Sequence, residues 1–231
     1  MNRIDGREVR RALSLEADVV IVGSGPAGAS VAREASLAGA SVIVVEEGHF
    51  HAPSDFAIGA FDAMANTYRD MGASIVLGSA PMPYVQGRMV GGSSPINGAI
   101  CWRTPRDVYD EWVASDAAIG DAIPWEALER ATDLIEARLN VKPTDPAIAG
   151  AKNQLLARGA QALGLAHRPI RRNVDGCEGL GRCMQGCPKG RKTSVDATLL
   201  ADAEVSGARV LSAVTVTCLL YTSPSPRDRT R

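Results

Sequence analysis

The sequence predicts an α/β fold organised around a βαβ unit, and three observations carry that prediction. Residues 18–22, Asp-Val-Val-Ile-Val, form a continuous β-branched run, the pattern of a strand buried on both faces. The loop Gly23-Ser24-Gly25-Pro26-Ala27-Gly28 follows at once. Residues 27–38 then read as a helix of small residues, with Val31, Ala35 and Ala38 on one face, and lead to a second β-branched run at 41–45 that ends in Glu46. A strand, glycine turn, helix and second parallel strand of this length make one crossover unit, which is right-handed by rule.

The bulk numbers fit a soluble globular chain and exclude several classes. The 231 residues are 45% apolar and 22% charged, enough for one large domain or two small ones. A net charge of −1 gives no electrostatic case for nucleic acid or an anionic membrane, and 4% aromatics is too little for base stacking. No apolar run reaches the length of a bilayer span, and residues 1–16 mix charges without the apolar core of a secretion signal. The expected location is therefore the cytoplasm, as a free protein or as a soluble subunit of something larger. Five cysteines do not form a disulfide framework in a chain this long, yet three of them crowd into one segment.

The remaining elements follow in order. Gly39 stops the first helix. Residues 56–71 have weak helical character, 81–98 are rich in Gly, Pro and Ser and predict loop, and 108–113 start or form a short helix. A firmer helix is predicted over 124–139, with Pro124 at its start and Leu128, Ile135 and Leu139 sharing a face. Two prolines make 141–146 a connector, and 147–163 a further helix. Residues 173–190 hold the cysteines, 195–203 are helical, and 209–216 close with a strand.

The glycine loop sits where its chemistry requires, between a strand and a helix, with an acid at the end of the next strand. Gly23 allows the tight turn, Gly25 lets the backbone approach a pyrophosphate, and Gly28 lets helix and strand pack closely. The N–H groups around Pro26 and Ala27 and the positive helix end face the phosphates. Glu46 accepts from ribose hydroxyls and disfavours a 2′-phosphate, which argues against NADP. Together these features predict a Rossmann-like dinucleotide site. Its position near the N-terminus, with Pro26-Ala27 in the variable places, resembles FAD-binding flavoproteins more than nicotinamide dehydrogenases.

A second small-residue loop runs from Gly87 to Gly98, Gly-Arg-Met-Val-Gly-Gly-Ser-Ser-Pro-Ile-Asn-Gly. Gly91 and Gly92 permit positive φ and a nest of N–H groups suited to an anion. With Trp102-Arg103 and Tyr109-Asp110-Glu111-Trp112 downstream, it resembles the first signature region of the glucose–methanol–choline (GMC) oxidoreductases. The resemblance spans residues 18–217. It implies a p-hydroxybenzoate-hydroxylase-like FAD domain, truncated before most of its substrate domain. It sets Gly91, Gly92 and Ser93 near the pyrophosphate of FAD, Asn97, Gly98 and Ala99 beside the flavin ring, and Val216 at the adenine. Some relatives attach FAD through a histidine just before this asparagine; Ile96 stands there, so non-covalent FAD is expected.

The implied chemistry is oxidation of a CH–OH group of a small alcohol, sugar or sterol, with hydride passing to flavin N5. The family's base is a histidine in a C-terminal signature region that this sequence lacks. His49, His51 and His167 do not match that motif and read as ordinary loop or surface histidines, so no catalytic residue is assigned. The expected organisation is an FAD-binding region over 14–217, with 121–190 inserted toward the substrate side. Residues 218–231 resemble the translation of a transposase adapter used in sequencing libraries, and so read as a non-native tail. On that reading the fragment is inactive.

Cys177, Cys183 and Cys187 have the spacing C-x5-C-x3-C-P within a glycine-rich loop. Three thiolates of this kind suit a three-iron iron–sulfur cluster, while zinc wants a fourth ligand. The loop resembles that of cluster-bearing FAD glucose dehydrogenases, and equally that of long-chain alcohol oxidases, for which no cluster is implied. A compact structural loop with redox-sensitive thiols is the plain alternative. A cluster would pass electrons to an acceptor protein and make a dehydrogenase rather than an oxidase. One other class stays open, a non-catalytic FAD/iron–sulfur electron-transfer module; a disulfide reductase would need a second GxGxxG and a redox cysteine pair soon after the first, and neither is here.

Overall fold

The computed structural model describes residues 2–219. The segment read as a non-native tail lies outside the described residues from 220 onward. The architecture is α/β, as the sequence predicts. A parallel sheet is formed by β1 (Arg3–Asp5), β2 (Val19–Val22), β3 (Val42–Val45) and β8 (Arg209–Ser212), in the order β1-β8-β3-β2. Val19 to Val22 pair in register with Val42 to Val45, and Ile43 to Val45 pair with Arg209 to Leu211.

Helix α1 (Pro26–Leu37) joins β2 to β3 and packs with α7 (Leu199–Val205) on one face of the sheet. Ala29 and Ala32 are fully buried, because small side chains let the helix lie close to β3. Val42, Val44, Leu199, Leu200 and Val210 complete this core, each contributing about 1.5–3 kcal/mol by leaving water. Gly39, at φ +88°, ends α1 as expected, with the Gly39 and Ala40 N–H groups on the carbonyls of Ser36 and Ala35.

The prediction that 18–22 is buried on both faces is corrected. Val20 and Val22 are 59% and 56% exposed, since the described helices cover the other side of the sheet. Leu13 and Leu15 lie with Ile4, Val20, Ile43 and Leu211 around a shallow hollow on this second face.

Several elements differ from expectation for local reasons. The 56–71 segment is α-helical only at α2 (Ala60–Thr67). Within the expected loop at 81–98, β5 (Met82–Tyr84) pairs antiparallel with β4 (Ser74–Val76). Next come α3 (Arg106–Ser115), α4 (Ala117–Ala122) and α5 (Trp125–Arg138), the last starting after Pro124 as predicted. The expected connector contains β6 (Val141–Pro143), which pairs with β7 (Arg171–Asn173). Helix α6 (Ala151–Ala162) starts later than predicted, because Gly150 at φ +77° breaks the turn before it. The closing strand β8 ends at Ser212, four residues short of Val216.

Arginine–carboxylate clusters tie these pieces together. Glu136 on α5, whose side chain is only 11% exposed, accepts from Arg171 at 2.5 and 2.8 Å and from Arg103 Nε at 3.0 Å. Hydrogen bonding from Arg103, then from Arg171, holds its carboxyl below the ordinary 4.5 against the opposing effect of burial. Asp202 on α7 is likewise lowered, first by Arg138 and then by Arg33. A depressed folded pKa gives stability that is present above the unfolded value and is lost as pH falls through the folded one. The thermal midpoint is therefore expected to drop steadily below about pH 5, and Glu136→Gln, costing about 1–2 kcal/mol at neutral pH, is expected to flatten that drop. Melting curves of both proteins across that range check it.

Candidate functional site

The first glycine loop crosses from β2 into α1. Gly23 has φ +92°, a conformation that needs glycine. A Cβ on Gly28 would lie 2.0 Å from the Gly23 carbonyl oxygen, so this position admits no side chain. Gly25 caps α1 without a side-chain hydrogen bond, Pro26 opens the helix, and its first turn carries no acid. The N-terminus of α1 is thus open to an anion.

Glu46, at the end of β3, is buried and turns back to this loop. Its Oε2 accepts from the Ser24 N–H at 2.9 Å and the Ser24 hydroxyl at 2.7 Å, and its Oε1 from the Gly48 N–H at 2.8 Å. The hydroxyl of Ser24 also accepts from the Gly91 N–H at 2.9 Å. Ser24 therefore locks the first glycine loop to the second. Where they meet, a Cβ on Gly92 would lie 2.9 Å from the Gly25 Cα, so two backbones face each other with no side chain between. Gly91 and Gly92 both hold positive φ, +91° and +59°.

Beyond Gly92 the chain is braced on several sides. Ser93 Oγ accepts from the Gly87 N–H at 2.8 Å, and Ser94 Oγ from the Val195 N–H at 3.1 Å. Asn97 Oδ1 accepts from the Ala99 N–H at 2.8 Å, supporting Ala99 at φ +56°. The Ala99 carbonyl accepts from the Asn173 N–H, which attaches this stretch to β7. The hydroxyl of Tyr68 lies 3.0 Å from the Ile96 carbonyl. The Asn97 carbonyl accepts from Lys192 Nζ at 2.6 Å. Burial pushes the Lys192 ammonium down to about 8, and Cys183 and Asp196 oppose that fall.

Gly98 and Ile100 line a cavity of about 900 Å³, whose walls also include Ile148, Leu156, Ile170, Arg168 and Arg182. Cys177, Cys183 and Cys187 also border it. Their sulfurs accept from the Gly179 N–H, Arg172 Nη2 and the Arg191 N–H respectively. Among the described residues no three His, Cys, Asp or Glu side chains gather as a metal-holding group. The geometry thus gives the three-iron expectation no support: each thiol is turned to its own donor within a loop bent by glycines at positive φ.

Two further expectations change. Val216 lies beyond the end of β8, outside any strand, and among the described residues it is Val214 whose N–H binds the Glu46 carbonyl. His49 and His51 are loop residues as expected but half-buried: Nδ1 of the first and Nε2 of the second are buried without a hydrogen-bond partner, and burial lowers the His51 pKa. His167 is exposed as expected. Lys192, Asp196, Tyr68 and Asn173 had no sequence signal, because each reaches the glycine loops from a distant segment that matches no motif.

Compared with known proteins, residues 17–230 match the GMC oxidoreductase family. The chain belongs to that family. This GMC oxidoreductase chain is 37% identical over 206 residues to an uncharacterised GMC-type oxidoreductase of Mycobacterium tuberculosis, covering 89% of this chain and 32% of the relative. A second such protein, of Sinorhizobium fredii, is 37% identical over 90% of this chain and 40% of its own length. A long-chain-alcohol oxidase of Arabidopsis thaliana is 31% identical over 88% of this chain and 26% of its own length. The GMC chain thus spans roughly a quarter to two fifths of these relatives. Among solved structures, pyridoxine 4-oxidase from Mesorbium loti shares the fold, with TM-score 0.54, 15% identity, and coverage of 86% of this chain and 42% of that one. None of the described helices is long and apolar enough to cross a membrane.

FAD is the cofactor that GMC membership implies, and the residues present fit it. Gly25 and Gly92 meet backbone to backbone, so neither projects a side chain over the α1 N-terminus, where a pyrophosphate would lie. A carboxylate offers about four lone-pair positions, and Glu46 has committed three, leaving one on Oε1 for a hydroxyl.

Proposed function

We propose that this chain is the FAD-binding part of an oxidoreductase that oxidises a CH–OH group of a small-molecule alcohol, as a dehydrogenase or an oxidase. The observation that carries the reading is the pair of glycine loops fastened to each other through Ser24. On this reading Gly23, Ser24, Gly25, Pro26, Ala27 and Gly28 take the pyrophosphate on the α1 N-terminus, and Glu46 takes a ribose hydroxyl. Gly91, Gly92 and Ser93 close over the phosphates from the other side. Asn97, Gly98 and Ala99 form the wall along the flavin ring, and Val216 stays assigned to the adenine end. FAD supplies the hydride acceptor.

The cavity beside Gly98 supports an alcohol with an apolar body, because Ile100, Ile148, Leu156, Ile170 and Leu180 line it, alongside Arg168, Arg172, Arg182 and Arg191. The long-chain-alcohol oxidases among the relatives agree with that substrate class. Residues 14–217 form the cofactor region in this proposal, with 121–190 contributing the substrate-side wall.

Ile96 offers no nucleophile to the flavin, so the attachment is non-covalent. Purified chain mixed with FAD is expected to retain the flavin through gel filtration and to release all of it on acid or heat denaturation. A long-chain primary alcohol added anaerobically to the flavin-loaded whole protein, of which this chain is the FAD-binding part, and not NADH, is expected to bleach the flavin. Failure to retain FAD would overturn the reading. FAD that stays with the denatured polypeptide would contradict the non-covalent assignment.

A further inference from the structure

The segment Lys192 to Asp196 touches the second glycine loop at three separate points. Lys192 Nζ donates to the Asn97 carbonyl at 2.6 Å. The Val195 N–H donates to Ser94 Oγ at 3.1 Å. Asp196 packs on Gly91 so closely that a Cβ there would come within 2.9 Å of the Asp196 Cβ. Of these contacts, the first is chemically unusual. Lys192 is only 6% exposed, and among the described residues no carboxylate stands within ion-pair distance of it, Cys183 and Asp196 acting on it only from farther away. A buried cation without an anionic partner is costly, and a neutral carbonyl compensates it only in part. Holding Asn97 alone would need a neutral donor, not a charge.

Resting on the FAD reading above, we propose that Lys192 is a positioning residue that sets a fixed positive charge beside the flavin-side loop, favouring the reduced cofactor over the oxidised one. Hydride transfer adds one proton and two electrons to the flavin, so the ring system gains one negative charge. The substrate carbon loses that hydride, and its hydroxyl proton leaves to a base. A buried ammonium held at Asn97 interacts with the added charge through a medium far less screening than water. The oxidised, neutral ring gains little from it. The anion that finally partners Lys192 is thus created by the reaction itself, which accounts for its lack of a protein partner.

Substitution separates charge from bracing. Lys192→Gln keeps a donor for the Asn97 carbonyl and removes the charge. Lys192→Arg keeps both, and Lys192→Met keeps neither. The readout is the affinity of each full-length variant for oxidised and for dithionite-reduced FAD, together with the midpoint potential of the bound flavin by dye equilibration. The ratio of reduced to oxidised affinity is expected to fall about tenfold in both Gln and Met variants, with a more negative potential, and to stay near the parent value in Arg. Normal ratios in Gln, with loss of FAD affinity confined to Met, would show that Lys192 only braces the loop and would overturn the proposal. A second neutral variant keeps the comparison decisive where one of them folds poorly. Parent protein that binds no FAD in either state would refute the flavin reading itself, whereas unchanged ratios in FAD-binding neutral variants refute the charge role alone.

Discussion

Gly28→Ala is expected to abolish FAD retention and to lower the unfolding free energy by about 3 kcal/mol or more. The added methyl would sit 2.0 Å from the Gly23 carbonyl oxygen, 3.1 Å from its carbon and 3.2 Å from Ile21 Cγ2. Two of these are backbone atoms of the turn itself, so no rotamer change relieves the overlap. The helix must lift from β2, and that motion opens the small-residue contact where Ala29 and Ala32 are buried. It also moves the α1 N-terminus away from Gly92. Overpacking with a side chain to displace costs typically about 1–3 kcal/mol, and a rigid backbone neighbour puts this case at or above that range. Gly159→Ala is the matched control. Gly159 lies inside α6 with open space around its missing Cβ, so alanine there is expected to stabilise by up to about 1 kcal/mol. Urea unfolding and FAD retention on the three proteins decide the matter; a Gly28→Ala protein with normal retention would remove Gly28 from the site.

The contrast between these glycines also shows what the sequence made legible. Gly28 announces itself because the strand before it and the helix after it are both periodic, and only glycine satisfies the close approach they impose. Gly91 and Gly92 were readable only in context: alone their loop could be a plain surface loop, and its place downstream of the dinucleotide motif made it a candidate second contact. What joins the loops was less visible: the Ser24–Gly91 hydrogen bond spans 67 residues and leaves no local pattern. The β1 strand was invisible because its partner β8 lies at the far end of the chain, and Arg-Ile-Asp carries no strand signature by itself. The exposure of Val20 and Val22 could not be foreseen, since a β-branched run records strand propensity and not what covers each face. Lys192 matches no motif, and only its burial against Asn97 distinguishes it. The cysteine spacing suggested a ligand set, but spacing constrains chain length and not the direction of sulfurs, which here turn to separate donors.

Glu46→Ala is expected to weaken FAD binding about 30- to 100-fold and to cost about 2–3 kcal/mol of stability, with Glu46→Gln falling between it and the parent. The carboxylate serves three donors at once, the Ser24 N–H, the Ser24 hydroxyl and the Gly48 N–H. Alanine leaves all three without an acceptor in a buried position. Glutamine can turn its carbonyl toward Ser24, but its amide then opposes the Gly48 N–H, so one bond is lost and two are kept. The effect should also pass through Ser24 to the second loop. The Ser24 hydroxyl accepts from Gly91 while it donates to Glu46, and removing the carboxylate frees that hydroxyl to rotate away. Ser24→Ala severs the same connection from its middle. A double-mutant cycle of Glu46→Ala and Ser24→Ala is therefore expected to be non-additive by about 1–2 kcal/mol in FAD binding. Additive losses would mean that Glu46 and the Gly91–Gly92 loop bind the cofactor independently, and that the fastening of the two loops through Ser24 is a packing detail with no part in holding FAD.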